Sequence, residues 1–93
     1  MHRVLVIEDE AINRIILRQT LEQQGYEVTV ANDGSSGLAL AKTFKPALIV
    51  CDWMMPCLDG LAVCQKIKSD PALSNIFFIL LTARNGLQDR VEG

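Results

Sequence analysis

Two short apolar runs in this chain end in carboxylates. Pro46-Ala47-Leu48-Ile49-Val50-Cys51 leads into Asp52, and Trp53-Met54-Met55-Pro56-Cys57-Leu58-Asp59-Gly60 follows at once. His2-Arg3-Val4-Leu5-Val6-Ile7 leads into Glu8-Asp9-Glu10. A further run, Ile76 to Leu81, ends at Thr82 and the small Ala83. If these runs are neighbouring parallel strands, Glu8, Asp9, Asp52 and Thr82 meet at the C-terminal edge of one sheet, where α/β folds bind ligands. Clustered carboxylates repel one another and need a cation. Hard oxygen donors of this kind suit Mg²⁺, which takes one or two carboxylates and keeps several waters. A metal-neutralised carboxylate can attack phosphorus and form an aspartyl phosphate. The Thr82 hydroxyl and backbone N–H groups could then hold the phosphoryl oxygens. The plainer alternative makes Glu8 and Asp9 solvated strand-end charges and Asp52 a turn or helix cap.

The elements that must position these groups alternate regularly. Val4 to Ile7 reads as a buried strand. Ala11 to Gln24 reads as a helix, with Ile12, Ile15, Ile16 and Leu21 at helical spacing and Gly25 as its stop. Val28 and Val30 alternate within a strand over Glu27 to Ala31. Asn32-Asp33-Gly34 signals a turn. Leu38, Ala41 and Phe44 then form a second helical stripe ended by Pro46, which Gly37 weakens by about 1 kcal/mol relative to Ala. Ala47 to Cys51 is near-continuously apolar, as in a strand buried on both faces. A third helix opens at Asp59-Gly60, with Asp59 as its N-cap and Leu61, Cys64 and Ile67 on one face, and breaks at Ser69-Asp70-Pro71. Ile76 to Thr82 is the fourth strand, and Asn85 to Glu92 begins a fourth helix. The order βαβαβαβ(α) predicts an α/β doubly wound parallel sheet with right-handed crossovers.

Length and composition narrow the classes. At 93 residues the chain holds one domain, residues 1–93. An apolar share of 49% supplies a core, and a net charge of −2 without a basic stripe excludes nucleic-acid binding by this segment. The longest apolar stretch is far too short to span a bilayer, and the N-terminal run lacks a secretory pattern. Cys51, Cys57 and Cys64 make an odd count without C-x-x-C spacing. They read as small apolar residues in a reducing cytoplasm rather than a disulfide or zinc set. Cytoplasmic localisation is therefore expected. His2 reads as a solvated end residue.

Taken in order, three motifs carry a family resemblance: Val4-Leu5-Val6-Ile7-Glu8-Asp9-Glu10, Leu48 through Gly60, and Ile79-Leu80-Leu81-Thr82-Ala83. Together they resemble the receiver domain of two-component response regulators. The resemblance implies a flavodoxin-like receiver fold with strand order 2-1-3-4. It implies a phosphoacceptor module served by a histidine kinase or phosphotransfer protein, with Mg²⁺ or Mn²⁺ as cofactor, and not an enzyme. Asp52 matches the phosphoacceptor. Asp9 matches the direct metal carboxylate, and Glu8 stands for the second acid, acting through a metal-bound water. The Met54 carbonyl matches the third protein ligand. Thr82 matches the switch hydroxyl, and the N–H groups of Trp53 and Ala83 match the phosphoryl-oxygen contacts. Pro56 and Gly60 match the loop that shapes the site.

The chain departs from that family at its C-terminal end. Strand five, helix five and the Lys after strand five have no counterpart, and Lys42, Lys45, Lys66 and Lys68 lie on or near helices two and three. The expectation is a receiver truncated at its C-terminus, read as a fragment of a longer domain. Phosphate uptake by the chain as given is expected to be impaired. A phosphorylation-independent association module is the alternative. An aspartyl-phosphate phosphohydrolase of the haloacid-dehalogenase type is disfavoured, because the acid it needs two residues after the nucleophile is Met54. Without a fifth strand, Ile76 to Leu81 is expected to be an open apolar edge, and without helix five one sheet face near strands one and three is expected to be uncovered. Together these predict a homodimer that covers the strand-four edge or that face.

Overall fold

The computed structural model describes residues 2–52, 60–81 and 89–92. In chain order the elements are β1 (Arg3–Ile7), α1 (Ala11–Gln23), β2 (Glu27–Ala31), α2 (Gly34–Phe44), β3 (Leu48–Asp52), α3 (Gly60–Ser69), β4 (Phe77–Leu81) and β5 (Asp89–Glu92). They form one sheet in the order β2-β1-β3-β4-β5. The β1–β2, β1–β3 and β3–β4 pairings are parallel, so the expected 2-1-3-4 order holds.

The period of two along each strand sorts the core into two layers. Leu5, Ile7, Ile49, Cys51, Phe78 and Leu80 face one side and pack with Ala41 of α2 and with Val63, Cys64 and Ile67 of α3. Val4, Val6 and Val50 face the other side and meet Leu17 and Leu21 of α1. The apolar run of β3 is thus buried on both faces, as its composition predicts.

The C-terminal expectation is corrected. Instead of a fourth helix over Asn85 to Glu92, residues Asp89–Glu92 form a strand antiparallel to β4, pairing Phe78 with Glu92 and Leu81 with Asp89. Eight residues with Gly86 near the start are marginal as a helix. Pairing instead satisfies backbone groups that an open β4 edge would leave unmade. Strand four is therefore not the edge of the sheet, which removes the strand-four edge as the basis for a dimer.

Two helix faces also differ from expectation. The half-buried stripe of α1 is Asn13, Arg14, Leu17 and Leu21, whereas Ile12, Ile15 and Ile16 are 73%, 54% and 54% exposed. These isoleucines do form a helical stripe, but on the side away from the sheet. On α3, Val63, Cys64 and Ile67 are buried with Gly60, while Leu61 is exposed.

The second helix explains its own glycine. Its buried residues are Gly34, Gly37 and Ala41, so α2 lies close against β1. A Cβ on Gly37 would sit 2.7 Å from Ile7 Cγ1 and 3.3 Å from Cγ2. Asp33 caps the helix by accepting from the Ser36 N–H at 2.7 Å, and this bond holds its carboxyl below the usual range.

Candidate functional site

The strand register brings the acids together. Ile7 pairs with Cys51, so the next residues, Glu8 and Asp52, are neighbours at the C-terminal end of the sheet. Glu8 continues the parity of Val4 and Val6, and Asp52 that of Leu48 and Val50. Both carboxylates therefore leave the sheet on the side covered by α1. Carboxylate oxygens of Glu8, Asp9 and Asp52 all lie within 4.8 Å of one another. Glu8 and Asp52 are only 3% and 4% exposed, and Asp9 is the more open of the three.

The loop that carries Glu8 and Asp9 is tied at several points. The Glu8 N–H donates to Ala31 O at 3.0 Å, extending the pairing of β1 with β2 by one residue. Glu8 Oε2 accepts from the Glu10 N–H at 3.0 Å. Glu10 is the N-cap residue of α1 but offers no side-chain cap, and its carbonyl accepts the first helical bond from Arg14 at 2.9 Å. Arg14 Nη1 reaches back to donate to the carbonyls of Glu8 and Asp9 at 2.9 and 3.1 Å.

Electrostatics at the cluster are strained in the direction a cation relieves. Burial pushes the Glu8 carboxyl up to about 7, and the neighbouring charge of Asp52 and hydrogen bonds shared with Asp9 and Asp52 push the same way. The Glu10 N–H opposes them. Two nearly buried carboxylates side by side cannot both ionise cheaply. Either a proton or a metal must sit among them. An all-oxygen donor set favours hard divalent cations such as Mg²⁺ or Mn²⁺, so the residues present fit the expected ion.

The structure therefore brings together Glu8, Asp9 and Asp52 of the sequence-predicted site. Trp53, Met54, Pro56, Asp59, Thr82 and Ala83 lie outside the described residues, and Gly60 opens α3 as a buried residue. Thr82 follows Leu81, which pairs with Asp52 across the β3–β4 ladder. Sequence reasoning missed Arg14, and it left Glu10 out of the site although its N–H holds the Glu8 carboxylate. The available signal was a cation one turn into a helix that starts beside three acids.

Known proteins point the same way. The family model described as response regulator receiver domain matches residues 4–93. The response regulator PleD of Caulobacter vibrioides is 42% identical over 91 residues, covering 98% of this chain and 20% of that protein. The chain spans 20% to 39% of the length of the first curated relatives it matches. Among solved structures, the N-terminal domain of a response regulator receiver protein from Methanoculleus marisnigri superposes with a TM-score of 0.86 at 31% identity, covering 89% of this chain and 68% of that one. The receiver domain of a sensor histidine kinase from Pseudomonas aeruginosa, with a magnesium ion coordinated in its active site cleft, gives 0.84 at 30% identity, with 94% and 70% covered. With the acids of β1 and β3 converging at the sheet edge of this fold, the chain belongs to the family of response regulator receiver domains.

Proposed function

We propose that this chain is a phosphoacceptor module that takes a phosphoryl group on Asp52 from a histidine kinase or phosphotransfer protein, in a reaction that depends on Mg²⁺ or Mn²⁺. The observation that carries the reading is the convergence of the Glu8, Asp9 and Asp52 carboxylates within 4.8 Å at the C-terminal edge of the sheet. Asp9, Asp52 and the Met54 carbonyl would hold the ion directly, and Glu8 through a water. When bound, the ion supplies positive charge that neutralises the acids and the incoming phosphoryl group. A carboxylate oxygen of Asp52 attacks phosphorus. The O–P bond forms as the P–N bond of a phosphohistidine donor breaks, and the electron pair leaves with the imidazole. The hydroxyl of Thr82 and the N–H groups of Trp53 and Ala83 are assigned to the phosphoryl oxygens. Chemistry at a carboxylate that is 4% exposed needs a donor presented at this edge, and α1 begins beside it.

Incubation with acetyl phosphate and Mg²⁺, followed by intact-mass measurement, tests this. Because the phosphoryl-pairing Lys of the family has no counterpart in this sequence, wild type is expected to gain one phosphoryl group slowly and incompletely, and Asp52→Asn to gain none. Uptake that persists in Asp52→Asn, or no detectable uptake by folded wild type on prolonged incubation at saturating Mg²⁺, refutes the assignment. A second reading, association without phosphorylation, draws on the exposed Ile12, Ile15, Ile16 and Phe77. It places self-association on these apolar surfaces rather than on strand four's edge. Light scattering at micromolar concentration tests it, and a stable monomer sinks it. Localisation in the cytoplasm belongs to the proposal. Among the described residues, no helix is long and apolar enough to cross a membrane.

A further inference from the structure

We propose that Arg14 is a positioning residue for the metal-binding acids, setting the backbone that carries Glu8 and Asp9. The proposal rests on the reading of those acids as a divalent-cation site. Arg14 is the fourth residue of α1. Helical side chains lean toward the N-terminus of their helix, so an Arg there can reach the segment before it. Its Nη1 does so, donating to Glu8 O at 2.9 Å and Asp9 O at 3.1 Å. It is half-buried on the sheet-facing stripe of α1. Among the described residues its side chain donates to these two carbonyls and forms no ion pair with a carboxylate.

The placement runs against helix electrostatics. The N-terminus of a helix carries positive partial charge and disfavours a cation in its first turn. The α1 N-terminus also has no acid in its first turn and no side-chain cap. What compensates is the bonding to two backbone carbonyls. One guanidinium nitrogen gripping consecutive carbonyls fixes the peptide between Glu8 and Asp9. That peptide sets the relative directions of a buried acid and a more open one. The Glu10 N–H then fixes the Glu8 carboxylate from the other side.

Charge and geometry predict opposite signs, which makes the idea testable. A cation beside Glu8 and Asp9 repels Mg²⁺, so a purely electrostatic role means that Arg14→Met tightens Mg²⁺ binding. A positioning role means that it weakens binding. Groups that orient metal ligands without touching the metal typically change affinity by about tenfold or more when removed. The measurement is Mg²⁺ alone titrated into the full chain, read by fluorescence of Trp53, the only tryptophan, with circular dichroism checking the fold. Arg14→Met is expected to raise the Mg²⁺ Kd by about tenfold. Arg14→Lys, which keeps a donor that can reach one carbonyl, is expected to recover part of this loss. Arg18→Met is the control. It removes the same charge from the same helix, where among the described residues Arg18 pairs with Glu22 at 3.3 Å, and is expected to leave Kd unchanged. An unchanged or tighter Kd in Arg14→Met overturns the positioning role while leaving the metal site intact. If Arg14→Met does not fold, Arg14→Lys decides, and a wild-type Kd there overturns the proposal. Absence of any wild-type response to Mg²⁺ removes the metal reading itself, and the proposal with it.

Discussion

Replacing Glu8 by Gln should erase a pH dependence of stability that the metal-free chain carries across neutrality. The Glu8 carboxyl titrates near 7 in the folded protein, against 4.5 for an unperturbed group. Burial is the main cause, and the side chain is only 3% exposed. At about 1.4 kcal/mol per pH unit, the folded state holds this proton more tightly by about 3 kcal/mol. The sign follows from which state keeps the proton. Between the two values the folded chain is protonated at Glu8 and the unfolded chain is not. The contribution is complete below about pH 4.5 and is lost as pH rises through about 7. Asp33 titrates below its usual 3.8, so its opposite contribution, present above that value and lost in acid, lies outside this window.

Thermal and urea unfolding in EDTA from about pH 5 to about pH 8 reads the effect. For a domain of this size, 3 kcal/mol corresponds to a fall in Tm on the order of 10 °C. Glu8→Gln keeps the shape, removes the charge and should give a flat profile at the upper end of wild-type stability. Mg²⁺ should rescue wild type most at high pH, because the same proton must leave before the ion binds. Mg²⁺ affinity should therefore fall below about pH 7, by up to tenfold per unit. A flat wild-type profile, or an unchanged slope in Glu8→Gln, would refute the claim that Glu8 is the group strained by the cluster.

Two further substitutions test the scaffold. Gly37→Ala gains about 1 kcal/mol of helix propensity, yet forces a methyl against Ile7, which is only 1% exposed and stiff at χ1. Overpacking of about 1–3 kcal/mol should win, so urea denaturation should show net loss, with Ile7→Val restoring part of it; a more stable Gly37→Ala would show that α2 can move off β1. Lys45 ends α2 with φ of 52°, a left-handed conformation in which a side chain is costly. Lys45→Gly should raise the urea midpoint by about 0.5–1 kcal/mol of stability, and a loss would mean that Lys45 makes a contact worth more than its strain.

How far the fold was legible follows from what each residue's neighbours decide. Strands β1 and β3 were readable because Val4 to Ile7 and Leu48 to Cys51 are apolar at successive positions, which only burial on both faces explains. The acids at their ends were readable for the same reason, since a carboxylate that closes such a run is held at the sheet edge. The burying face of α1 was not readable, because the helix carries two apolar stripes. Ile12, Ile15 and Ile16 form the larger, and only the sheet selects Leu17 and Leu21. Gly37 looked like a local weakness in a helix, because its reason, the closeness of Ile7, lies thirty residues away in sequence. The strand at Asp89–Glu92 was missed because it is too short to show a period of two. It is fixed by the open side of β4, a tertiary cause. Arg14 escaped for a different reason: its targets are backbone carbonyls, which no residue type marks, so only its own place, a cation one turn into a helix beside three acids, pointed to it.

The site's geometry is a consequence of the core's register. Leu5 and Ile7 belong to one layer and Val4 and Val6 to the other, so slipping β1 by one residue against β3 would turn each set to the wrong side. Burial of both layers therefore locks Ile7 opposite Cys51. That pairing alone places Glu8 beside Asp52, on the side where α1 starts and where Arg14 can reach the loop. The repulsion between the two acids acts at the strand ends, beyond the last core pair, where it can raise the Glu8 pKa without moving the strands. The core pairs lie within the sheet, and the electrostatic strain sits at its C-terminal edge, on Glu8 and the Asp52 that ends β3. An ion entering the cluster would thus act on the Glu8–Asp9–Glu10 loop and the start of α1, whose outward face is lined by Ile12, Ile15 and Ile16.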